Sequence, residues 1–140
     1  MLLEVVLLFG LIPRLEAFFG LGRTQSVAVS GRLICDGHPA SNVKIKLYDV
    51  DNILDTLLEE STTDQNGQFR VSGNKNEITD IDPKLNIYHK CDYNGLCYKK
   101  VEINIPDDFI TDGSNPAKTF DIGTINLANQ FSGDSTDCLN

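Results

Sequence analysis

The sequence predicts an all-β domain, a two-sheet antiparallel β-sandwich of about seven strands. Apolar residues recur at every second position along much of the chain, the spacing that places one face of a strand in a core. Dipeptides typical of tight turns separate these runs: Asp36-Gly37, Asn66-Gly67, Asn94-Gly95 and Asp112-Gly113. Short strands with turns at such spacing are typical of sandwiches, and the ~120 residues after the N-terminal apolar block suffice for one core.

Six runs carry this alternation, and the first is predicted to end near Cys35. The last run is expected to contain a β-bulge at Gly123. Between the fifth and sixth runs, the segment 106–110 predicts one short helical turn, because it opens with a proline followed by two acidic residues. The predicted core-facing residues are, run by run, Val27, Val29 and Leu33; Val43, Ile45 and Leu47; Phe69 and Val71; Leu85, Ile87 and His89; Val101, Ile103 and Ile105; and Phe120, Ile122, Ile125 and Leu127.

The N-terminus carries a short apolar block, residues 5–12, that stops at Pro13-Arg14. A membrane-spanning helix needs roughly 20 apolar residues, so this block is too short for one. We predict a signal peptide over residues 1–17, with cleavage after Ala17 or as late as Gly20, and one domain over residues 18–140. The alternative is a buried N-terminal segment. Cleavage would make the protein secreted and extracellular.

Four cysteines, Cys35, Cys91, Cys97 and Cys138, all follow the predicted signal peptide. An even number of cysteines in a secreted chain predicts two disulfides, with three pairings open. Proximity favours Cys91 with Cys97, because these two lie on either side of the Asn94-Gly95 turn. Cys35 would then pair with Cys138 and tie the C-terminal tail to the end of the first strand.

The chain is acidic, with a formal net charge of −8. An acidic chain without a basic tract argues against nucleic acid as the main partner. No later apolar run is long enough to cross a bilayer, so a transmembrane protein is not predicted.

Several blocks of residues, in one order, resemble those of a known family. They are Gly31-Arg32-Leu33-Ile34-Cys35, Val43 to Asp49, Thr63-Asp64 with Gly67 and Phe69, Ile87-Tyr88-His89 with Cys91, Ile105-Pro106-Asp107, and Phe120 to Leu127. On these blocks the chain resembles the nematode transthyretin-like family of secreted proteins. The resemblance covers nearly everything after the predicted signal peptide. It implies a transthyretin-type, seven-stranded Greek-key sandwich and extracellular residence.

The resemblance also implies a non-enzymatic binding role, that of a bridging factor between anionic lipid on a cell surface and a cell-surface receptor. Lys90, Lys99 and Lys100 flank the cysteine hairpin, with Tyr93 and Tyr98 among them. These lysines are the candidate lipid contacts, since each lysine near a charged membrane contributes ~1 kcal/mol. The alternative is ordinary solvent-facing lysines, which at sheet edges oppose aggregation.

Two other functions fit the fold. A carrier of a small apolar ligand between subunits would need an oligomer, which nothing in the sequence specifies. Transthyretin's enzymatic relatives hydrolyse 5-hydroxyisourate with histidines, an arginine and a C-terminal Tyr-Arg-Gly-Ser. This chain ends in Asp137-Cys138-Leu139-Asn140, and His38 and His89 lie outside the motifs of that family. We therefore predict no catalytic residues.

No metal or other cofactor is predicted. His89 and Cys91 share a strand face, but zinc sites need about four ligands and no others lie nearby in sequence. The acidic segment from Asp49 to Glu60 resembles a calcium loop only in composition. An EF-hand needs an oxygen ligand and then a glycine where this segment has Ile53 and Leu54.

Overall fold

The computed structural model describes residues 22–131 and 133–140. The predicted signal peptide and its cleavage site lie outside the described residues. The elements in chain order are β1 (Arg23–Cys35), β2 (His38–Pro39), β3 (Lys44–Asp49), β4 (Thr56–Thr62), β5 (Gln68–Glu77), β6 (Pro83–His89), β7 (Tyr98–Asn104), a 3-10 turn (Asp107–Phe109), β8 (Thr111–Asp112), β9 (Phe120–Asn126) and β10 (Ser135–Asp137).

These strands form two sheets that pack into a sandwich, which confirms the predicted fold class. In the first sheet β1 pairs with β2, β5, β8 and β9, and the second sheet has the order β10-β7-β6-β3-β4. Within the described residues, seven strands have six or more residues, and three short strands are added to them. One pair differs from the antiparallel expectation, because β9 runs parallel to β1. The preceding short strand β8 pairs antiparallel with the same strand, β1, and the segment 113–119 then reverses the chain, so that β9 runs parallel to β1.

The core lies between the two sheets, where the predicted period of two places the aliphatic side chains. Gly31 interrupts that pattern in β1 for a steric reason. A Cβ atom at this position would lie 2.4 Å from Cγ1 of Ile122, so no larger residue fits between the sheets there. The largest fully buried aliphatic side chains are Leu33, Ile45, Leu47, Ile81, Leu85, Ile87 and Leu127.

Strand β4 does not appear among the six predicted runs. Its pairing with β3 shifts register between Leu47 and Tyr48, which marks an irregularity in the ladder. A bulge changes which side chains share a face, so the sequence of β4 shows no regular alternation. The segment from Leu57 to Glu60 therefore lacked the signal that identified the other long strands.

The outer face of the second sheet is more buried than alternation predicts. Asn86 and Tyr88 are each 4% exposed, although they point away from the core. The Asn86 side-chain amide donates a hydrogen bond to the Tyr88 hydroxyl at 3.1 Å, and the Lys46 Nζ atom lies 5.6 Å from the Tyr88 ring centroid. Burial raises the pKa of the Tyr88 phenol to about 12. Long side chains thus cover this face.

Candidate functional site

The loop between β6 and β7, residues 90–97, is tied to the rest of the chain by two disulfides. Cys91 bonds Cys35 at the end of β1, with 5.8 Å between the Cα atoms. Cys97 bonds Cys138, just after β10, with 4.5 Å between the Cα atoms. The first bond joins the two sheets, and the second joins the loop to the C-terminal tail. We call residues 90–97 the stapled loop.

The pairing predicted from proximity, Cys91 with Cys97 and Cys35 with Cys138, was therefore wrong. The register of β6 and β7 would bring Cys91 opposite Cys97 if it continued, but it ends at His89 and Lys99. Beyond His89 the chain turns away, with Asp92 at a φ of 51°. Cys91 thereby reaches the end of β1. Cys97 stays beside the edge strand β10. Asp137 of β10 pairs with Tyr98 in an antiparallel register, so Cys138, which follows Asp137, lies opposite Cys97.

The stapled loop and the C-terminal tail bonded to it expose apolar side chains next to a cation. Leu96 is 97% exposed and Leu139 is 95% exposed, and each adjoins one cysteine of the Cys97–Cys138 bond. The Lys90 ammonium donates to the carbonyl oxygens of Gly95 at 3.3 Å and of Leu96 at 3.4 Å. It also lies 5.0 Å from the ring centroid of Tyr98. A positive charge is therefore held beside an exposed leucine.

The three lysines predicted to bind lipid do not lie on one face. Lys99 and Lys100 are neighbours in β7, so their side chains point to opposite sides of the sheet. The Lys100 ammonium is 3.2 Å from Glu102 and 3.7 Å from Asp137, which offsets its charge. Lys90 alone of the three belongs to the stapled loop. The lipid contact of all three remains a prediction, and Lys90 is the one that the structure places beside Leu96.

His89 is buried beneath the stapled loop, with 4% exposure. Its Nδ1 atom accepts a hydrogen bond from the Cys91 backbone N–H at 3.0 Å. Burial is the main cause that lowers the pKa of His89 below its ordinary value, and the charge of Lys99 lowers it further. The neutral imidazole ring of His89 holds the start of the stapled loop through this hydrogen bond. Its role is therefore structural.

A group of four possible metal ligands, Cys35, Asp36, Cys91 and Asp92, lies beside the first disulfide. Both sulfur atoms are bonded to each other, so they cannot act as thiolate ligands. A hydrogen bond with Asp92 is the main cause that raises the pKa of Asp36. The two remaining carboxylates are too few ligands for a zinc or calcium site.

The acidic segment from Asp49 to Glu60 uses its carboxylates for structural contacts. Asp49 is 3.0 Å from the Lys75 ammonium and accepts a hydrogen bond from the Asp82 backbone N–H at 2.8 Å. Asp55 accepts from the Asp51 backbone N–H at 3.2 Å. The loop between β3 and β4, residues 50–55, lies at the opposite end of the second sheet from the stapled loop, because Asp49 pairs with Pro83 at the start of β6.

A polar groove of about 630 Å³ crosses the first sheet, and it was not predicted from the sequence. Two arginines, Arg32 of β1 and Arg70 of β5, line it together with Asp64 and Asp121. Serine and threonine side chains contribute much of the remaining lining. Its residues come from four strands and the β4–β5 turn, so no contiguous motif could have indicated it.

Neither histidine is placed for the hydrolysis chemistry of transthyretin's enzymatic relatives. His38 is exposed in the two-residue strand β2, and its partner in the ladder is Cys35. His89 is buried and engaged with the Cys91 backbone. A general base must reach a proton on the bound substrate or water, and neither histidine lies in the groove. The described part of the chain also contains no helix with the length and apolar character that a membrane crossing requires.

The sequence matches the family model described as TTR-52, Transthyretin-like family, over residues 30–106. Two curated proteins of Caenorhabditis elegans are similar over most of their lengths. Transthyretin-like protein 33 is 51% identical over 120 residues, which cover 83% of this chain and 83% of that protein. Transthyretin-like protein 5 is 46% identical over 123 residues, which cover 85% and 88% respectively. The crystal structure of (S)-allantoin synthase is similar over 80% of this chain and 43% of that chain, at 14% identity and a TM-score of 0.45, too low to support an argument.

Proposed function

We propose that this chain, which belongs to the transthyretin-like family, is a secreted, non-enzymatic binding protein that attaches to anionic lipid surfaces through its stapled loop. The observation that carries the proposal is the position of Leu96, which is 97% exposed on a loop held by two disulfides. Exposed apolar residues indicate an interaction site when they lie together, and Leu96 and Leu139 each adjoin one cysteine of the Cys97–Cys138 bond. The family resemblance implies extracellular residence, which agrees with such a role.

The apolar contribution comes from Leu96 and Leu139. Burying one leucine side chain contributes about 1.5–3 kcal/mol, and both residues can enter a bilayer interface without unfolding any strand. The loop loses little conformational entropy on binding, because both of its cysteines are already bonded to other elements. Two leucines thus provide a weak but real affinity for a lipid surface.

The electrostatic contribution comes mainly from Lys90. Its ammonium donates to two backbone carbonyls. Among the described residues it forms no ion pair with an acidic side chain, whereas Lys100 forms two. One such lysine contributes ~1 kcal/mol near an anionic membrane. The charge selects anionic over neutral lipid, and the leucines supply most of the binding energy.

Secretion is supported by the cysteines. All four cysteines of the chain are in two disulfides. Such bonds persist in oxidising compartments and are rare in the cytosol. The predicted signal peptide would deliver the chain to that environment.

The test is sedimentation with vesicles of phosphatidylcholine that contain or lack phosphatidylserine. The double variant Leu96→Ser and Leu139→Ser should weaken binding at least about tenfold, given the transfer free energy of two leucines. Leu54→Ser is the matched control, since Leu54 is 78% exposed at the other end of the same sheet. Equal binding by the double variant and the control would refute the proposal.

A charge series tests which lysine contributes. Lys90→Glu should weaken binding to phosphatidylserine vesicles more than Lys100→Glu, because Lys100 is already paired with two acids. The triple change of Lys90, Lys99 and Lys100 to Glu should abolish the preference for anionic lipid. Unchanged sedimentation of the triple variant would contradict the electrostatic part of the proposal.

A further inference from the structure

The polar groove has a regular arrangement of side chains across three strands. Ser30 of β1 lies opposite Arg70 of β5 and beside Asp121 of β9. Two residues along, Arg32 lies opposite Gln68 and beside Thr124. Paired positions on neighbouring strands point to the same face, so these six side chains form two adjacent rows on the outer face of the first sheet.

The two arginines are placed together without a carboxylate partner. Arg32 and Arg70 occupy diagonal positions of the β1–β5 ladder, where Cα atoms lie about 7–8 Å apart. Among the described residues, neither guanidinium takes part in an ion pair. Arg32 uses its Nε–H to donate to the Asn66 carbonyl at 3.1 Å, which orients the side chain. Each guanidinium has five N–H donors, so most donors of the pair remain for a ligand.

The two acids in the groove are held by backbone groups of turns. One oxygen of Asp64 accepts from the backbone N–H groups of Asn66 and Gln68, both at 2.9 Å. One oxygen of Asp121 accepts from the Gly123 N–H at 2.8 Å. The two guanidinium and two carboxylate groups give the groove no net formal charge, so an anion is attracted only through direct contact with the guanidinium groups. A second charge on the ligand would be repelled by these carboxylates.

The other side chains that line the groove indicate the chemical class of the ligand to which the charged group is attached. Hydroxyl groups of Ser30, Ser61, Thr62 and Thr124 border the groove, and Phe69 is its one aromatic residue. Hydroxyls donate and accept hydrogen bonds, which suits a ligand rich in hydroxyl groups. An apolar hormone-like ligand would leave these groups without partners, at a cost in binding free energy.

We infer that this groove binds a singly charged oxyanion ester, a sulfate monoester or a phosphodiester, on a sugar or polyol. The guanidinium groups of Arg32 and Arg70 hold the oxyanion through charge-assisted hydrogen bonds, and the hydroxyls contact the polyol. The groove lies in the first sheet, whereas the stapled loop extends from the second. The inference therefore does not rest on the proposed lipid contact.

The test is NMR titration of the ¹⁵N-labelled, oxidised domain with glucose 6-sulfate and, separately, with glycerophosphoinositol. These two arms distinguish a sulfated sugar from a phosphodiester head group. Backbone signals of residues 30–32, 68–70 and 121–124 should shift in a saturable manner with at least one ligand. Glucose and inositol without the ester should give binding at least about tenfold weaker, because the charge-assisted hydrogen bonds are absent.

Variants localise the effect. Arg32→Gln and Arg70→Gln should each weaken binding at least about tenfold, and Arg70→Lys should recover part of it, since lysine keeps the charge but not the planar fork. Arg23→Gln is the control, because Arg23 is paired with Asp80 and Asp112 elsewhere on β1. Thermal unfolding of each variant checks that the fold is intact.

Equal affinity in the Arg32→Gln, Arg70→Gln and Arg23→Gln variants would overturn the inference, as would equal affinity for the ester and the plain sugar. A second outcome is that Arg70→Gln loses vesicle binding while Leu96→Ser binds vesicles normally. That result would support the groove as the lipid head-group site and refute the proposal that the stapled loop binds lipid. Loss of vesicle binding in Leu96→Ser alone, with oxyanion binding intact, would support two separate sites.

Discussion

The two loops at opposite ends of the second sheet both expose large apolar residues but are held differently. The β3–β4 loop exposes Ile53 by 94% and Leu54 by 78% and contains no cysteine. The stapled loop exposes Leu96 by 97% and is fixed through both of its cysteines. A loop that is already ordered loses less entropy on binding, which is why we propose the stapled loop, and not the β3–β4 loop, as the recognition surface.

The charges near the two loops differ as well. Asp51 and Asp55 lie within the β3–β4 loop, and an anionic surface would repel them. The stapled loop holds the Lys90 ammonium at the Leu96 carbonyl, where an anionic surface attracts it. An exposed leucine therefore indicates a lipid contact only together with its neighbours, and exposure alone would rank the two loops almost equally.

Removing the first disulfide should have the largest effect. The double variant Cys35→Ala and Cys91→Ala opens a loop of 56 residues, and the chain-entropy relation gives a loss of about 4 kcal/mol in the free energy of unfolding. Urea unfolding in the absence of reductant measures it. Peptide mapping of the unreduced wild-type protein is the companion experiment, and a fragment in which Cys91 is bonded to Cys97 would contradict the pairing.

The second-largest effect is expected in limited proteolysis, where the two loops should be cleaved at different rates. Chymotrypsin should cut after Leu54 well before it cuts after Leu96, because cleavage requires local opening and the disulfides oppose it at the stapled loop. Reduction should remove the difference, and mass spectrometry of the fragments measures both rates. First cleavage after Leu96 in the oxidised protein would show that the disulfides do not order this loop.

The buried histidine should produce a smaller, pH-dependent effect. The folded state lowers the pKa of His89, whereas the unfolded chain takes up its proton near a pH of about 6.5. The unfolded state therefore binds more protons below that pH, and stability is lost as the pH falls through about 6.5 towards the lowered pKa. His89→Asn keeps an acceptor for the Cys91 N–H but does not titrate. Its free energy of unfolding should change less between pH 7 and pH 5.5 than that of the wild type, and an equal change would exclude His89 as the cause.

The smallest effect is expected at the β3–β4 loop. Asp55 lies 3.4 Å from Lys84, and its side chain is 36% exposed. Exposed ion pairs contribute at most about 1 kcal/mol, so Asp55→Asn should change the free energy of unfolding by less than that amount. A loss comparable to that of the disulfide variant would show that this end of the sheet is as strongly fixed as the other.

Local pattern predicted most of the fold because burial repeats at every second residue. The runs around Val43 to Leu47 and Val101 to Ile105 needed no tertiary information, and Pro106 indicated the 3-10 turn. Strand β4 was missed because the irregular register opposite Leu47 and Tyr48 removes the alternation. The parallel pairing of β9 with β1 depends on the reversal of the chain between β8 and β9, both of which pair with β1, and the alternation within β9 does not encode it.

The candidate sites could be predicted less well, since they depend on contacts between distant segments. Sequence proximity suggested Cys91 with Cys97, but the turn at Asp92 and the edge strand β10 decide the pairing. The groove brings together Arg32 and Arg70, which are far apart in sequence and meet only through the register of β1 and β5. All three lysines lie in or next to the stapled loop in sequence, but alternation along β7 places the side chains of Lys99 and Lys100 on opposite sides of the sheet.

The most direct test of the stapled loop as the lipid contact uses the absence of tryptophan from this sequence. Leu96→Trp and Leu54→Trp each introduce a single fluorescent reporter at one of the two loops. With phosphatidylserine vesicles, the emission of the Leu96→Trp protein should shift to shorter wavelength as the indole enters the bilayer interface, while that of Leu54→Trp stays unchanged. A shift only at position 54, or at neither position, would contradict the account.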